Sequence, residues 1–214
     1  MANILLGVTG SVAAIKTPEL FAELKRRGHW VRLVATRAAT YFFDPSAIES
    51  RDGNRNRSIV SLDEDEWPGE QYARGDEVLH IELRRWAEVL VIAPLDANTL
   101  AKLAGGICDN CLACVWRAWD PARPVVLAPA MNTLMWENPL TRRHLRSIAS
   151  IAGVPDLPSD LDQDELIPLL NERCARLHFV APVSKALACG DIGPGGMAAP
   201  ADIAEAIELR LGRR

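Results

Sequence analysis

Four short segments carry side chains that could do chemistry. Thr9-Gly10-Ser11-Val12-Ala13-Ala14 follows an apolar run and opens a helical stretch. Gly10 permits a tight turn, and Ser11 with the free N–H groups of a helix start makes an anion site; the alternative is a plain tight turn. The dinucleotide fingerprint G-x-G-x-x-G is absent, because Gly7 and Gly10 are separated by two residues and no third glycine follows. A mononucleotide phosphate therefore fits better than a pyrophosphate. Thr36-Arg37-Ala38-Ala39 precedes Tyr41-Phe42-Phe43. That is a helix cap followed by aromatics, which could flank a flat ring or simply enter the core. Ala97, Asn98 and Thr99 follow Pro94-Leu95-Asp96, and small and amide residues at a strand end suit the edge of a heterocycle. Pro129-Ala130-Met131-Asn132-Thr133-Leu134-Met135-Trp136 places an amide and two methionines where a loop would ordinarily be polar, which points to a binding role.

Two further residues are candidates for proton transfer. His80 is one of four histidines and precedes Ile81-Glu82-Leu83-Arg84-Arg85-Trp86; a lone histidine of this kind is more often structural than catalytic. Cys189 stands before Gly190-Asp191-Ile192-Gly193-Pro194-Gly195-Gly196-Met197. So many glycines in so short a span suggest a flexible lid, and a cysteine at its root is a candidate acid or nucleophile. Cys108, Cys111 and Cys114 are spaced by three. They lie in a helical pattern with no second ligand cluster, so small buried helix residues are expected there rather than a zinc or disulfide site.

These segments need a scaffold that brings loops together. Strand-length apolar runs occur at 3–8, 30–35, 89–94 and 125–129, with a fifth candidate at 178–182. Between them lie helical patterns at 12–27, 97–103, 110–119, 140–149, 164–176 and 201–211. Gly28 is a natural C-terminal stop for the first. Strands that are apolar throughout are covered on both faces. Their alternation with helices predicts an α/β doubly wound parallel sheet in a three-layer sandwich, with ligands bound beyond the carboxyl ends of the strands. The acidic stretch at 52–77, centred on SLDEDEW, is expected to be a surface excursion, and 151–176 breaks the rhythm with prolines, aspartates and one helix.

The bulk properties agree with one compact domain. The chain has 214 residues, 49% hydrophobic and 24% charged, with a net charge of -4. Those values exclude wholesale disorder and argue against a broad nucleic-acid-binding face. No apolar run reaches the roughly 18 residues of a membrane helix. The N-terminus lacks the basic region of a secretory signal, and five cysteines, an odd number, fit reduced thiols, so a cytoplasmic location is expected.

Taken together, GVTGSVAAIK, HIELRRWAEVLVIAPLDANTLAKLAGGICDN, PAMNTLMWENP and LACGDIGPGGMA resemble the flavin-dependent cysteine decarboxylases. The similarity spans most of residues 3–144 and 177–200. PAMNTLMW and the lid cysteine are specific to that group, whereas the TGS turn is not. The resemblance implies a flavodoxin-like, Rossmann-like fold and bound FMN. It also implies a homotrimer, or an assembly of trimers, with FMN at a subunit boundary. A single domain over 1–214 with an insertion at about 150–175 follows from the same comparison. Gly10, Ser11, Val12 and Thr36 then correspond to contacts with the FMN phosphate and ribityl chain. Phe42, or its neighbour Phe43, corresponds to a ring-stacking residue, and Ala97, Asn98 and Thr99 to flavin contacts. His80 matches an active-site histidine. Asn132 and Met135 match a substrate-recognition loop whose amide holds a carboxylate, and Cys189 matches a proton-donating lid cysteine. Arg85 is a weaker candidate for anion binding. The chain departs from the family in its ~150–175 segment, in GGMAAP, where Ala199 replaces an acid, and in having no synthetase domain after it.

The chemistry so implied is decarboxylation of 4'-phospho-N-pantothenoylcysteine to 4'-phosphopantetheine in coenzyme A biosynthesis. Direct loss of CO2 would leave a carbanion with no electron sink. Oxidation of the thiol to a thioaldehyde places a C=S where it accepts those electrons, giving an enethiolate; a flavin supplies redox chemistry that side chains cannot. In the assigned roles His80 is the general base, Asn132 fixes the carboxylate without a full positive charge, and Cys189 delivers the proton in the second half. The rival expectations are a peptidyl-cysteine decarboxylase that releases the enethiol, a prenyl-FMN synthase, whose pocket lacks PAMNTLMW, and a phosphatase-regulating binding protein.

Overall fold

The computed structural model describes residues 1–48, 58–69, 71, 73–186 and 192–212. Its frame follows from the apolar runs. β1 (Asn3–Val8) leads through a 3-10 turn (Val12–Lys16) into α1 (Thr17–Arg26), then β2 (Trp30–Ala35). After these come β3 (Val60–Leu62), α2 (Leu79–Trp86), β4 (Val89–Leu95), α3 (Ala97–Gly105), α4 (Cys111–Arg117) and β5 (Val125–Pro129). The chain continues with α5 (Thr133–Trp136), α6 (Pro139–Ile151), α7 (Gln163–Arg173), β6 (Leu177–Phe179), β7 (Val183–Ala186), β8 (Ile192–Gly196) and α8 (Pro200–Arg210).

The main sheet has the order β3-β2-β1-β4-β5-β6 and every pairing in it is parallel. Strand periodicity divides its side chains between two cores. Ile4, Leu6 and Val8, with Val89 and Val91, pack against Leu20, Leu24, Ile203 and Ile207 of α1 and α8. Leu5, Leu90 and Ile92 face the other way, onto Leu83, Leu100, Leu112, Leu145 and Leu166 of α2, α3, α4, α6 and α7. Burying each such side chain is worth about 1.5–3 kcal/mol, so both faces must be covered. This is the doubly wound three-layer sandwich, flavodoxin-like and Rossmann-like in its layers. Its strand order reverses direction between β1 and β4, which opens a crevice at their carboxyl ends.

Four local expectations change. The helix expected at 12–27 is split, because Pro18 starts a fresh helix and the segment before it stays a 3-10 turn. The acidic segment 52–77 is not all excursion: Val60–Leu62 forms the edge strand, and Glu66 is 6% exposed. The fifth strand starts one residue early, at Leu177, because it pairs with Val125–Leu127. The glycine-rich segment expected to be a free lid is partly an antiparallel pair, β7 with β8; Cys189 lies outside the described residues. The 151–176 segment supplies α7, whose Leu166, Ile167 and Leu170 are buried. Gln163 donates its side-chain amide to the carbonyl of Trp136, and Trp136 Nε1 donates to Asp164 Oδ1 at 3.2 Å.

Candidate active site

A cavity of about 500 Å3 opens at the crevice between β1 and β4. That is within the usual range for a small-molecule or cofactor site. Its floor comes from the turn after β1. Ser11 caps the 3-10 turn, its Oγ accepting from the Ala13 N–H at 3.3 Å, and its own N–H donates to the Thr9 carbonyl at 2.8 Å. Gly10 is required by proximity: a Cβ there would stand 2.6 Å from Ala38 Cβ and 3.3 Å from Asp96 Oδ2. The hydroxyl of Thr9 ties this turn to β4, donating to the Pro94 carbonyl and accepting from the Asp96 N–H, both at 2.8 Å.

The second wall is the start of α3. Asp96 is its cap, Oδ1 accepting from the Thr99 N–H at 2.7 Å. Asp96, Ala97 and Asn98 line the cavity, whereas Thr99 is 3% exposed and lies beneath it. Phe42 lines the cavity, with Tyr41 edge-on to it at 5.1 Å between centroids; Phe43 belongs to the core. Thr36 does not line the cavity. It stands at the end of β2, 6% exposed, and its Oγ1 has no hydrogen-bond partner.

The third wall joins the loop after β5 to the glycine-rich arm. Asn132 caps α5 with Oδ1 accepting from the Met135 N–H at 2.8 Å. Because the oxygen is used, the amide NH2 is the end left to meet a ligand. Asn132 and Met135 line the cavity with Gly195 and Gly196. Gly195 has φ +120, and a Cβ on it would collide with the Met131 carbonyl oxygen.

Two cations complete the site and were not singled out in the sequence, where they look like ordinary surface lysines. Lys16 and Lys185 both line the cavity. Burial first, and then the Lys16 ammonium, hold Lys185 below the usual lysine range. Two like charges in one cavity call for an anion.

These residues fit a phosphorylated flavin. The paired ammonium groups of Lys16 and Lys185 suit a phosphate, and Phe42 offers a ring face to the same cavity. The residues that would hold FMN are Gly10, Ser11, Val12, Phe42, Ala97 and Asn98.

His80 and Arg85 do not line this cavity. His80 is at the start of α2, its N–H donating to Glu66 Oε2 at 3.0 Å and its Nδ1 bonded to Glu66 Oε1. Cys114 Sγ lies within 4.8 Å of both partners. Arg85 is exposed at the other end of α2. Cys111 is buried and Cys108 exposed, all three cysteines of the trio being free thiols. Burial chiefly, and then the Glu66 charge, push the Cys114 thiol up to about 11 and Cys111 higher still, so both stay protonated at neutral pH.

The mouth of the cavity is apolar. Val12, Ile15 and Met135 line it while 42%, 61% and 50% exposed, an unusual concentration of large apolar surface beside a polar site.

A family model described as Flavoprotein matches residues 1–212. A rice protein named phosphopantothenoylcysteine decarboxylase is 44% identical over 212 residues, covering 99% of this chain and 82% of its own. A solved structure of a PPC decarboxylase mutant complexed with pantothenoylaminoethenethiol is 43% identical, with a TM-score of 0.77, over 99% of this chain and 98% of that one. The structure described as the FMN binding protein AtHal3 is 44% identical with a TM-score of 0.72, over 97% of this chain and 95% of that one.

Proposed function

The chain belongs to the Flavoprotein family, and from that premise we propose that it is an FMN-dependent carboxy-lyase acting on phosphopantothenoylcysteine. The observation that carries the reading is one cavity gathering Gly10, Phe42, Asn98, Lys16, Asn132 and Met135 from four separate segments of chain. FMN, when bound, supplies the two-electron acceptor that oxidation of the substrate thiol requires. The rest is the work of the protein's own residues. Asn132 presents its NH2 to the substrate carboxylate. Being neutral, it orients that group without stabilising its charge against departure of CO2. Lys16 and Lys185 hold a phosphate monoester at the cavity. Met135 covers the reacting end with apolar surface, and Cys189 returns a proton to the enethiolate.

His80 is the general base and Arg85 an anion contact, both delivered by α2 of a neighbouring chain in a homotrimer or an assembly of trimers. Two observations support this arrangement: α2 lies outside the cavity of its own chain, and Val12, Ile15 and Met135 leave apolar surface at the mouth. The cytoplasm, where the thiols stay reduced, is the proposed location.

The test is incubation of the purified protein with phosphopantothenoylcysteine, following release of CO2 and formation of phosphopantetheine. A peptide ending in cysteine serves as the comparison substrate. Turnover of the first supports the reading. Turnover of the peptide alone would reassign the substrate, and turnover of neither would sink the enzyme.

A further inference from the structure

We infer that Glu66 is a positioning residue that fixes the tautomer and orientation of His80. The inference rests on the reading of His80 as the base of the proposed decarboxylation, which does not itself call on Glu66.

Glu66 follows a 3-10 turn (Asp63–Asp65) just beyond β3, in the segment whose composition suggests a solvated surface. Its side chain is 2% exposed. A buried carboxylate needs partners, and here both oxygens bond His80, Oε2 accepting its N–H at 3.0 Å and Oε1 bonding Nδ1, while the Cys111 thiol is a further hydrogen-bond partner. The backbone bond sets the first turn of α2, where Leu79 and His80 have no helical acceptor for their N–H groups. The ring bond places the imidazole proton on Nδ1, because a carboxylate can only accept. Nε2 is thereby left as the basic nitrogen, the state a general base must hold.

Two thiols stand around the Glu66 carboxylate. Cys111 and Cys114 of α4 face it, and both remain protonated thiols through burial and its charge. The turn is anchored from two sides. Arg37 N–H donates to Asp63 Oδ2 and Leu62 N–H to Asp65 Oδ2, each at 2.8 Å. Glu66 therefore has little freedom to release the ring.

The experiment compares wild-type holoprotein with Glu66→Gln, Glu66→Asp and Glu66→Ala. The Gln oxygen can still accept the His80 N–H, and the NH2 then faces Nδ1 and donates to it. The tautomer is read from long-range 1H–15N spectra of the four histidines, above the imidazolium range, with the His80 signal identified by its loss in His80→Asn. Wild type should show the Nδ1–H form. Glu66→Gln and Glu66→Ala should show a mixture or the Nε2–H form. Their kcat should drop at least ~10-fold, a share of the typical general-base factor, with KM and bound flavin unchanged. Glu66→Asp should recover part of the loss by keeping the charge. An unchanged His80 tautomer in Gln and Ala, or equal losses in Asp, Gln and Ala that track thermal stability alone, would overturn the role. The spectra need no substrate: a wild type with the Nδ1–H form but no turnover would sink the decarboxylase reading and leave this one standing.

Discussion

The backbone N–H of Met131 donates to the carbonyl of Gly195 at 2.9 Å. This bond joins the glycine-rich arm to the loop that carries Asn132, so the two act as one wall of the cavity. The contact needs glycine at 195, where φ is +120 and a Cβ would meet the Met131 carbonyl. Gly195→Ala is expected to cost about 1–3 kcal/mol of backbone strain and to lower Tm by roughly 2–10 °C. Flavin should be bound more weakly in the same variant. Thermal unfolding followed by flavin release measures both, and an unchanged Tm would contradict the geometry.

Asn132 caps α5 and, in the proposed function, presents its NH2 to the substrate carboxylate; one substitution separates the two. Aspartate caps a helix as well as asparagine does, so Asn132→Asp keeps an acceptor for the Met135 N–H. It removes the NH2 donor and points a negative charge at the substrate carboxylate. Loss of a hydrogen bond to a charged group is worth about 1.5–3 kcal/mol, and repulsion adds to it. A fall of ~10^2-fold or more in kcat/KM is expected, with Tm nearly unchanged. Parallel losses in both would make Asn132 a cap alone.

The proposed subunit boundary has its own test. His80→Asn should retain flavin yet lose turnover, since His80 does not line the cavity of its own chain. Co-expressed with Asn132→Asp, it should regain activity in mixed assemblies, where an intact α2 meets an intact cavity. Mixed assemblies as inactive as either parent would require both groups to act within one chain.

His178 makes stability depend on pH. Burial chiefly, and then the Arg210 guanidinium 2.7 Å from Nδ1, hold it down at about 4. The unfolded chain takes up this proton near pH 6.5 and the folded chain only near 4, so the stabilisation is complete above pH 6.5 and lost progressively between 6.5 and 4. Allowing for partial solvent screening, the contribution is about 1–2 kcal/mol. Urea midpoints should fall across that window in wild type and more gently in His178→Asn; identical slopes would remove His178 from the account.

The sequence makes the centre of the fold legible and its margins much less so. β1, β2, β4 and β5 are read directly because strands covered on both faces must be apolar throughout. β3 is not, because three residues in an acidic stretch carry too little pattern, and its pairing with Leu33–Ala35 is a tertiary effect. The β7–β8 pair is hidden for a different reason: the glycines and proline of β8 have little strand propensity, and Gly193 and Gly195 pack closely on Thr133 and Met131. At the site, Gly10, Phe42, Asn98, Asn132 and Met135 are recognisable by type and place. Lys16, Lys185 and Glu66 are not, since a lysine or glutamate in a polar stretch looks like solvated surface until the fold puts two ammonium groups in one cavity and a carboxylate under a histidine.

Every role proposed for these residues depends on one cofactor in the cavity between β1 and β4, and the visible absorption spectrum of the purified protein tests its presence most directly. The predicted result is the paired near-ultraviolet and blue bands of a bound isoalloxazine, present on isolation or restored by added FMN and retained through gel filtration. A colourless protein that takes up no FMN on reconstitution would contradict it.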